Sequence, residues 1–318
     1  MMQLAKVNKV LFGWLPVSIQ EELGMLRRYS FRGREGNGNP VIAMVDGSTF
    51  HGGLCDRWKG IVSLYALSKV EGRAFKIHYT YPFRLEHFQE PSTYDWSIAD
   101  EDVSNKLGRV SMLRLTGDPT LKRVLQLPLD KQIHAYANRD WVDVINHHYG
   151  SQFTWGGLYK ELFKPSPLLQ AALQAFPQKD YVAVALRMQN LLGDYPEYHY
   201  QPADKTRQEI ILRSCVEYIQ QLHELEPHRA ILVTSDSARM SMEASRLPYV
   251  FTNHGVAAHV DTIAHADEGQ YGKSFIDFYL LSGAKKVYAV TTREMYHSDF
   301  PRYAALLNNC PFERISLS

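Results

Sequence analysis

The sequence has few cysteines, and its metal-binding residue types do not form familiar motifs. Only Cys55, Cys215 and Cys310 occur in 318 residues, and their odd number and wide spacing support neither a disulfide framework nor a zinc site. Thirteen histidines include the adjacent pair His147 and His148, which cannot share one face of a helix, and no HExxH motif is present. We therefore predict that the protein holds no metal ion.

Long apolar runs and an excess of one charge are also missing. No stretch reaches the roughly 20 apolar residues of a membrane span, and the start lacks the small-residue cleavage site of a secretory signal. The 35 Lys and Arg residues nearly balance the 34 Asp and Glu residues, which argues against a nucleic-acid partner. We expect a cytoplasmic globular protein, and the arginines and leucines before about residue 35 leave open an association with a membrane surface or a protein partner.

Apolar runs alternate with helical patterns, as in α/β proteins, and the length allows two domains. The run Val41–Val45 predicts a strand, a repeat over residues 54–65 predicts a helix with one buried stripe, and residues 74–79 predict the next strand. The other elements predicted before residue 165 are strands at 109–115 and 132–137 and helices at 140–148 and 156–163. Pro165-Ser166-Pro167 predicts the boundary between domains 1–165 and 166–318.

The second half shows the alternation more clearly. Tyr181–Leu186 is a continuous apolar run, as expected for a strand that is buried on both faces. The predicted elements that follow are a helix bearing Ile211, Leu212, Cys215, Ile219 and Leu222, strands at 230–233, 249–251 and 286–290, and helices from 236, over 273–283 and over 299–308. This order predicts a doubly wound α/β domain, and we expect two such domains that face a cleft.

Ligands of open parallel sheets bind beyond the carboxyl ends of the strands. The residues that follow the predicted strands are small hydroxyl residues, arginines and a carboxylate, which together suit a nucleoside diphosphate. They are His51, Gly52, Gly53, Asp56 and Arg57, then Arg187, then Asp236, and finally Thr291, Thr292, Ser298 and Arg302. Each also has a structural interpretation, since the glycines fit a tight turn, Arg187 fits an ion pair, and Asp236 and Ser298 fit helix caps.

The order of these residues resembles the fucosyltransferase superfamily of GT-B glycosyltransferases, which includes protein O-fucosyltransferases, α1,6- and α1,2-fucosyltransferases and the Nod-factor enzyme. Gly52–Arg57 is similar to its Gly-rich turn, with Cys55 in place of the second glycine. Arg187 matches the first arginine of an H-x-R-R-x-D motif, in which Ala185 replaces the histidine and Met188 the second arginine. Thr234-Ser235-Asp236 and the segment 298–306 resemble its last two motifs.

The resemblance implies an inverting, metal-independent transfer of a sugar from GDP-fucose, or another nucleoside-diphosphate sugar, to a carbohydrate or other hydroxyl acceptor in polysaccharide biosynthesis. It implies no cofactor, with donor binding in domain 166–318 and acceptor binding in domain 1–165.

Arg187 would stabilise the departing diphosphate, and Asp194 would be the base. The helix start at Ser298, Asp299 and Phe300 would bind the β-phosphate together with Arg302, and Asp236 would accept from the base or ribose. His51 and Glu197 would lie on the acceptor side, with His51 and Asp56 as rival bases.

Two other functions remain open from the residues alone. A metal-dependent glycosyltransferase would use an acidic D-x-D motif, which Asp100-Glu101-Asp102 matches. A non-catalytic binder of nucleotide or glycan with the same fold would explain Met188 and Asn190, which depart from the arginine motif.

Overall fold

The structure, a computed structural model, describes residues 17–117, 119–127, 130–176, 179–195, 200–254 and 268–317. The chain forms two compact units, of which the first contains the residues up to Arg84 and Thr93–Phe153. The second contains Leu85–Ser92 and the residues from Thr154 onward. In the part of the chain that is described, no helix is both long enough and apolar enough to cross a bilayer.

The helices and strands agree closely with the predicted alternation. In chain order they are α1 (Val17–Leu26), β1 (Val41–Val45), α2 (Leu54–Val70), β2 (Phe75–Tyr79), β3 (Gln89–Pro91), β4 (Val110–Leu115), α3 (Leu121–Leu125), β5 (Gln132–Ala137), α4 (Val142–Tyr149), α5 (Trp155–Leu162), β6 (Phe163–Pro165), α6 (Pro167–Gln174), β7 (Tyr181–Leu186), α7 (Lys205–Leu225), β8 (Ala230–Ser235), α8 (Ala238–Ser245), β9 (Val250–Thr252), α9 (Glu268–Ser282), β10 (Val287–Thr291), α10 (Phe300–Leu307) and β11 (Phe312–Ser316). The predicted bounds of β1, β5 and β7 are confirmed at both ends.

The first unit is built on a four-stranded parallel sheet in the order β2-β1-β5-β4. Every residue of β1 is buried, which explains why its sequence is a continuous apolar run. Helix α2 buries 13 of its 17 residues, so it is enclosed more fully than the single predicted stripe indicates. Gly60 permits this close packing, because a Cβ atom at that position would lie 2.0 Å from the carbonyl oxygen of Ala137.

The second unit is built on a five-stranded parallel sheet in the order β11-β10-β7-β8-β9. All six residues of β7 are buried, and the predicted inner face of α7 packs into the same hydrophobic core. Helices α1 and α3 of the first unit, and helix α6 and strands β3, β6 and β11 of the second, were not predicted. β11 lies at the edge of the sheet with no fully buried residue, so it lacks the apolar run that marks an inner strand.

The division between the units differs from the boundary predicted at residue 165. It falls between Phe153 and Thr154, because α5 and β6 are held by the second unit. A Cβ atom on Gly156 of α5 would lie 2.4 Å from the carbonyl oxygen of Leu306, which shows how closely α5 packs on α10. Strand β6 pairs with β3, and this antiparallel pair brings residues 85–92 into the second unit.

A buried histidine ties the segment after α1 to the first sheet. His134 on β5 is fully buried, and its Nδ1 lies 2.6 Å from the hydroxyl of Tyr29 while its Nε2 lies 3.1 Å from Oε1 of Gln132. An amide oxygen only accepts, so Nε2 carries the proton and Tyr29 donates to Nδ1. Burial lowers the pKa of His134 to about 4, and the ring is neutral at neutral pH.

We predict that His134 makes the protein sensitive to acid. The unfolded chain takes up a proton on this side chain below its ordinary pKa of 6.5, whereas the folded chain takes it up only near 4. The folded state therefore keeps its full stability at neutral pH and loses about 2 kcal/mol of it, through this group, between about pH 7 and about pH 5.

The measurement is the free energy of unfolding in denaturant at both pH values. The variant His134→Gln should show the smaller pH-dependent loss, and His147→Gln, at an exposed position, is the matched control with a wild-type pH response. An identical pH response in all three proteins would contradict the prediction.

Candidate functional site

The second sheet has a topological switch point between β7 and β10. From β7 the chain proceeds to β8 and β9 on one side, and it later returns to β10 and β11 on the other. Leu186 pairs with both Ser235 and Val290, so the next residue, Arg187, leaves the sheet between the ends of β8 and β10. Open α/β sheets bind ligands at such a point. The structure thus brings Arg187, Asp236, Thr291 and Thr292 to one sheet edge.

Asp236 and Arg187 form an ion pair at this edge. Nη1 of Arg187 lies 2.7 Å from Oδ2 of Asp236, whose side chain is only 4% exposed. The backbone amides of Met188 and Gln189 donate to the same carboxylate, each at 2.7 Å. Burial raises the pKa of Asp236, and Arg187 and the two amides oppose that shift. The carboxylate therefore binds the Arg187 loop of its own chain, whereas the sequence predicted that it binds the base or ribose of a nucleotide.

The Arg187 guanidinium is held from a second side by an aromatic ring. Its central carbon lies 5.2 Å from the centre of the Tyr195 ring, and Tyr195 is buried. The Arg187 side chain is 23% exposed, so it is part of the surface at the switch point. An arginine fixed in this way loses little further side-chain entropy when it binds an anion.

Asp194 lies at the start of helix α8. Its Oδ2 accepts from the hydroxyl of Ser237 and from the amide of Arg239, both at 2.8 Å. Its Oδ1 is buried and has no hydrogen-bond partner among the described residues. Asp194 thus contributes to the cap of α8 through Oδ2. If Asp194 has the predicted role of a base, Oδ1 is the oxygen that would accept the proton. Glu197 lies outside the described residues.

The residues after β10 form a compact polar turn. Thr291 and Thr292 are buried, and their hydroxyls donate to the carbonyl oxygen of Ile315 at 3.3 Å and to Glu294 at 2.9 Å. At the start of α10, the hydroxyl of Ser298 accepts from the amide of Phe300 at 3.2 Å. Two further predicted residues lie here: Asp299 forms an ion pair with Arg314 at 3.6 Å and the exposed Arg302 lies over the ring of Tyr303. Because α10 follows β10, its N-terminus lies at the carboxyl edge of the sheet.

In the first unit, the turn between β1 and α2 is held together from inside. Gly52 has φ of +82°, and a Cβ atom there would lie 2.9 Å from Cβ of Asp56, so the turn requires glycine. Gly53 is the residue that precedes α2. Arg57 is fully buried and donates to the carbonyl oxygen of Gly52 at 3.1 Å and to Tyr79 at 2.7 Å. The guanidinium lies in the core, so this geometry does not support the predicted role of Arg57 in nucleotide binding.

Two other predicted residues of this turn differ in exposure. His51 is buried, and its Nε2 accepts from the amides of Asp46 and Gly47 at 3.2 and 3.0 Å. Burial lowers the pKa of His51 to about 3, so it is neutral and a weak base. The side chain of Asp56 is 44% exposed and forms an ion pair with Lys59 at 3.2 Å. Of the rival bases, Asp56 is thus the one that solvent reaches.

One buried carboxylate of this edge was not among the predicted site residues. Asp46 follows β1 directly, and its side chain is fully buried. It accepts from Ser48 at 2.6 Å and from the hydroxyl of Tyr136 at 3.1 Å, and it lies 2.9 Å from Nη1 of Arg28. The position was visible in the sequence, since Asp46 directly follows the predicted strand Val41–Val45 and Asp236 was itself selected from the residues that follow a predicted strand.

The carboxylates of the D-x-D segment are engaged by side chains of the protein. Asp100 lies 2.6 Å from Nη2 of Arg84 and 3.1 Å from Nε2 of His78. Asp102 accepts from the side-chain amide of Asn37. Among the described residues, no three His, Cys, Asp or Glu side chains are placed to hold a metal ion together.

Comparison with known proteins identifies the fold. No family model matches the chain, and no curated protein sequence matches it. Among solved structures, the chain is similar to NodZ α-1,6-fucosyltransferase co-crystallised with GDP, with 14% identity and a TM-score of 0.52 over 85% of this chain and 93% of that chain. Structures of POFUT1 with GDP (12% identity, TM-score 0.48) and with GDP-fucose (13% identity, TM-score 0.44) each match over 88% of this chain, and over 99% and 98% of their own chains. The likeness to NodZ confirms the predicted α/β fold of the GT-B fucosyltransferases.

Proposed function

We propose that the protein is an inverting glycosyltransferase that moves a sugar, fucose from GDP-fucose, to a hydroxyl group of a glycan or another acceptor without a metal ion. The observation that carries this proposal is the fixed Arg187 at the switch point between β7 and β10. The fold supports it, because the similar NodZ structure is a fucosyltransferase that contains GDP. The expected cytoplasmic location is part of the proposal.

The proposed reaction develops negative charge on the departing diphosphate. The oxygen of the acceptor hydroxyl attacks the anomeric carbon and its proton passes to the base, while the bond from that carbon to the β-phosphate oxygen breaks and its electron pair stays on the phosphate. A guanidinium aimed at this oxygen stabilises the charge in the transition state, and it can bind a carboxylate and a phosphate together because it carries several N–H donors. Arg187 therefore acts as the catalytic residue, and Asp236 acts as the positioning residue that fixes its direction.

The N-terminus of α10 supplies positive electrostatic potential for the diphosphate in addition to that of Arg187. The start of a helix favours bound anions, and Ser298 and Asp299 lead directly into this eight-residue helix, whose first residue is Phe300. The Phe300 amide donates to Ser298 and Pro301 has no N–H, so the helix dipole and the Arg302 side chain carry this part of the proposal. Arg302 is exposed in its first turn. We place the β-phosphate here, with Thr291 and Thr292 supporting the turn from inside.

A second candidate is a nucleotide binder without transferase activity. Met188 stands where the second arginine of the motif is found, and it is fully buried in the hydrophobic core of the second unit. The cradle of the diphosphate consequently lacks a cation at this position. This binder would retain the nucleotide affinity of Arg187 and of the helix start without releasing a sugar.

The donor is tested by thermal shift and turnover with GDP-fucose, UDP-sugars and dTDP-sugars. We expect GDP and GDP-fucose to raise Tm because they bind only the folded state. We also expect GDP-fucose to be consumed at an equal rate in EDTA. No shift with any nucleotide would exclude the proposal, a shift without consumption would favour the binder, and loss of activity in EDTA would favour the metal-dependent enzyme.

We predict that Arg187→Lys lowers turnover roughly 100-fold or more, because lysine lacks the planar fork that binds a phosphate bidentately. Lysine is the informative replacement, since Arg187→Ala leaves the buried carboxylate of Asp236 without a cation and destabilises the fold. Steady-state kinetics with GDP-fucose measures the effect, and Arg213→Lys at an exposed position of α7 is the control. Turnover of Arg187→Lys at the rate of the control would contradict the assignment.

We propose Asp194 as the base because of the family resemblance, and its Oδ1, which is buried in this structure, is the oxygen that has no hydrogen-bond partner among the described residues. Its Oδ2 is fixed by Ser237 and Arg239. Asparagine caps helices as well as aspartate does, so Asp194→Asn should lower turnover roughly 100-fold with little change in Tm or GDP affinity. In contrast, Asp194→Ala should also lose about 1 kcal/mol of stability through the cap. Undiminished turnover in Asp194→Asn, combined with a destabilised Asp194→Ala, would assign the cap alone.

A further inference from the structure

The charge of the chain is unevenly distributed along the sequence. Six of the 35 Lys and Arg residues, but only two of the 34 Asp and Glu residues, fall within the first 34 positions. The remainder of the chain therefore carries a net negative charge. The near-neutral total conceals a basic segment, and its described part ends in the turn that follows α1.

That turn exposes a large aromatic side chain between arginines. Phe31 is 83% exposed, which is the highest value among the exposed large hydrophobic residues that the structure describes. Arg27, Arg28, Arg32 and Arg34 are exposed around it. We name residues 27–34 the basic turn. An apolar tip flanked by cations matches the chemistry of a bilayer surface that carries anionic lipid.

The basic turn is rigidly attached to the first unit. The amide of Gly33 donates to the carbonyl oxygen of Ser30 at 3.2 Å, which closes the turn, and the amide of Ser30 donates to the carbonyl oxygen of Asn105 at 2.9 Å. A Cβ atom on Gly33 would lie 2.3 Å from the same Asn105 oxygen, so the turn packs directly against the backbone at that residue. The backbone on either side of Phe31 is therefore held against the first unit, and the Phe31 side chain is exposed at this fixed position.

Two of the arginines are oriented by the same framework. Arg28 binds Asp46, and Arg34 donates to the carbonyl oxygens of Val103 at 3.0 Å and of Asp100. Arg109 is also exposed. It lies near the basic turn, because the amide of Leu107, two residues earlier, donates to the carbonyl oxygen of Ser30. At the base of the turn, Arg28 is thus paired with an acidic side chain and Arg34 lies beside the acidic segment 100–102, while Phe31 and Arg32 are exposed.

The sequence before α1 has the same character. Residues 1–16 contain two lysines and no acidic residue, and they include Leu11, Phe12, Trp14 and Leu15. Single exposed apolar residues are common on protein surfaces. In contrast, two stretches of sequence that combine cations with aromatic residues, at positions 6–14 and 27–34, are typical of segments that bind anionic lipid.

We propose that the basic turn docks the protein peripherally on an anionic membrane, with Phe31 inserted among the headgroups and its arginines over the acidic lipids. This proposal does not depend on the transferase activity. The partner is a lipid surface because a bilayer accepts an apolar tip and diffuse positive charge without a shaped pocket.

The test is co-sedimentation of the full chain with vesicles of phosphatidylcholine alone or with about one-third phosphatidylglycerol. We expect binding only to the anionic vesicles and its loss in about 1 M salt, where the screening length is about 3 Å. The variants Phe31→Ser and Arg32→Glu should each weaken partitioning roughly fivefold or more.

Matched controls lie on the second unit. Leu225 is 80% exposed, so Leu225→Ser removes an equally exposed apolar side chain, and Arg213→Glu reverses the charge of an exposed arginine. Both should bind as the wild type does. Equal binding to neutral vesicles, no binding by the wild type, or equal losses in the controls would each overturn the proposal.

Discussion

A buried carboxylate at the end of β8 determines the geometry of the candidate site. Asp236 is removed from water, and a carboxylate in such a place is stable only when cations and amides surround it. The Arg187 guanidinium and the amides of Met188 and Gln189 meet this need. To present both amides, the chain turns sharply after β7, and Gln189 adopts a left-handed conformation with φ of 51°. The direction of Arg187 is thus a consequence of satisfying Asp236.

The first sheet repeats this arrangement with different partners. Asp46 follows the apolar strand β1 as Asp236 follows β8, and it is enclosed by Ser48, Tyr136 and Arg28. In both units, one buried carboxylate gathers the loops at the carboxyl edge of a parallel sheet. The arginines differ in position: Arg187 directly follows a strand at the switch point of its sheet, whereas Arg28 belongs to the basic turn and connects it to Asp46.

The sequence predicted the strands and their order well, because strands enclosed by a parallel sheet must be apolar on both faces. It also predicted which loops meet, since topology alone brings the ends of β7, β8 and β10 together. It could not predict the partners inside those loops. Arg57 and Arg187 each follow a strand or turn at such an edge, yet Arg57 is directed into the core by Gly52 and Tyr79. Whether such an arginine is buried or exposed depends on which side of its helix faces the sheet. The positions of arginines along the sequence do not give this information.

In the proposed reaction, the ion pair with Asp236 has an electrostatic consequence. It fixes Arg187, but it also offsets the positive charge that the departing diphosphate needs, and the buried Met188 adds no second cation. The remaining positive potential must come from Arg302 and from the dipole of α10, whose first turn contains that arginine. A fixed guanidinium and a helix start thus have complementary roles, because Arg187 directs hydrogen bonds to the leaving oxygen while the helix stabilises the charge that spreads over the phosphate.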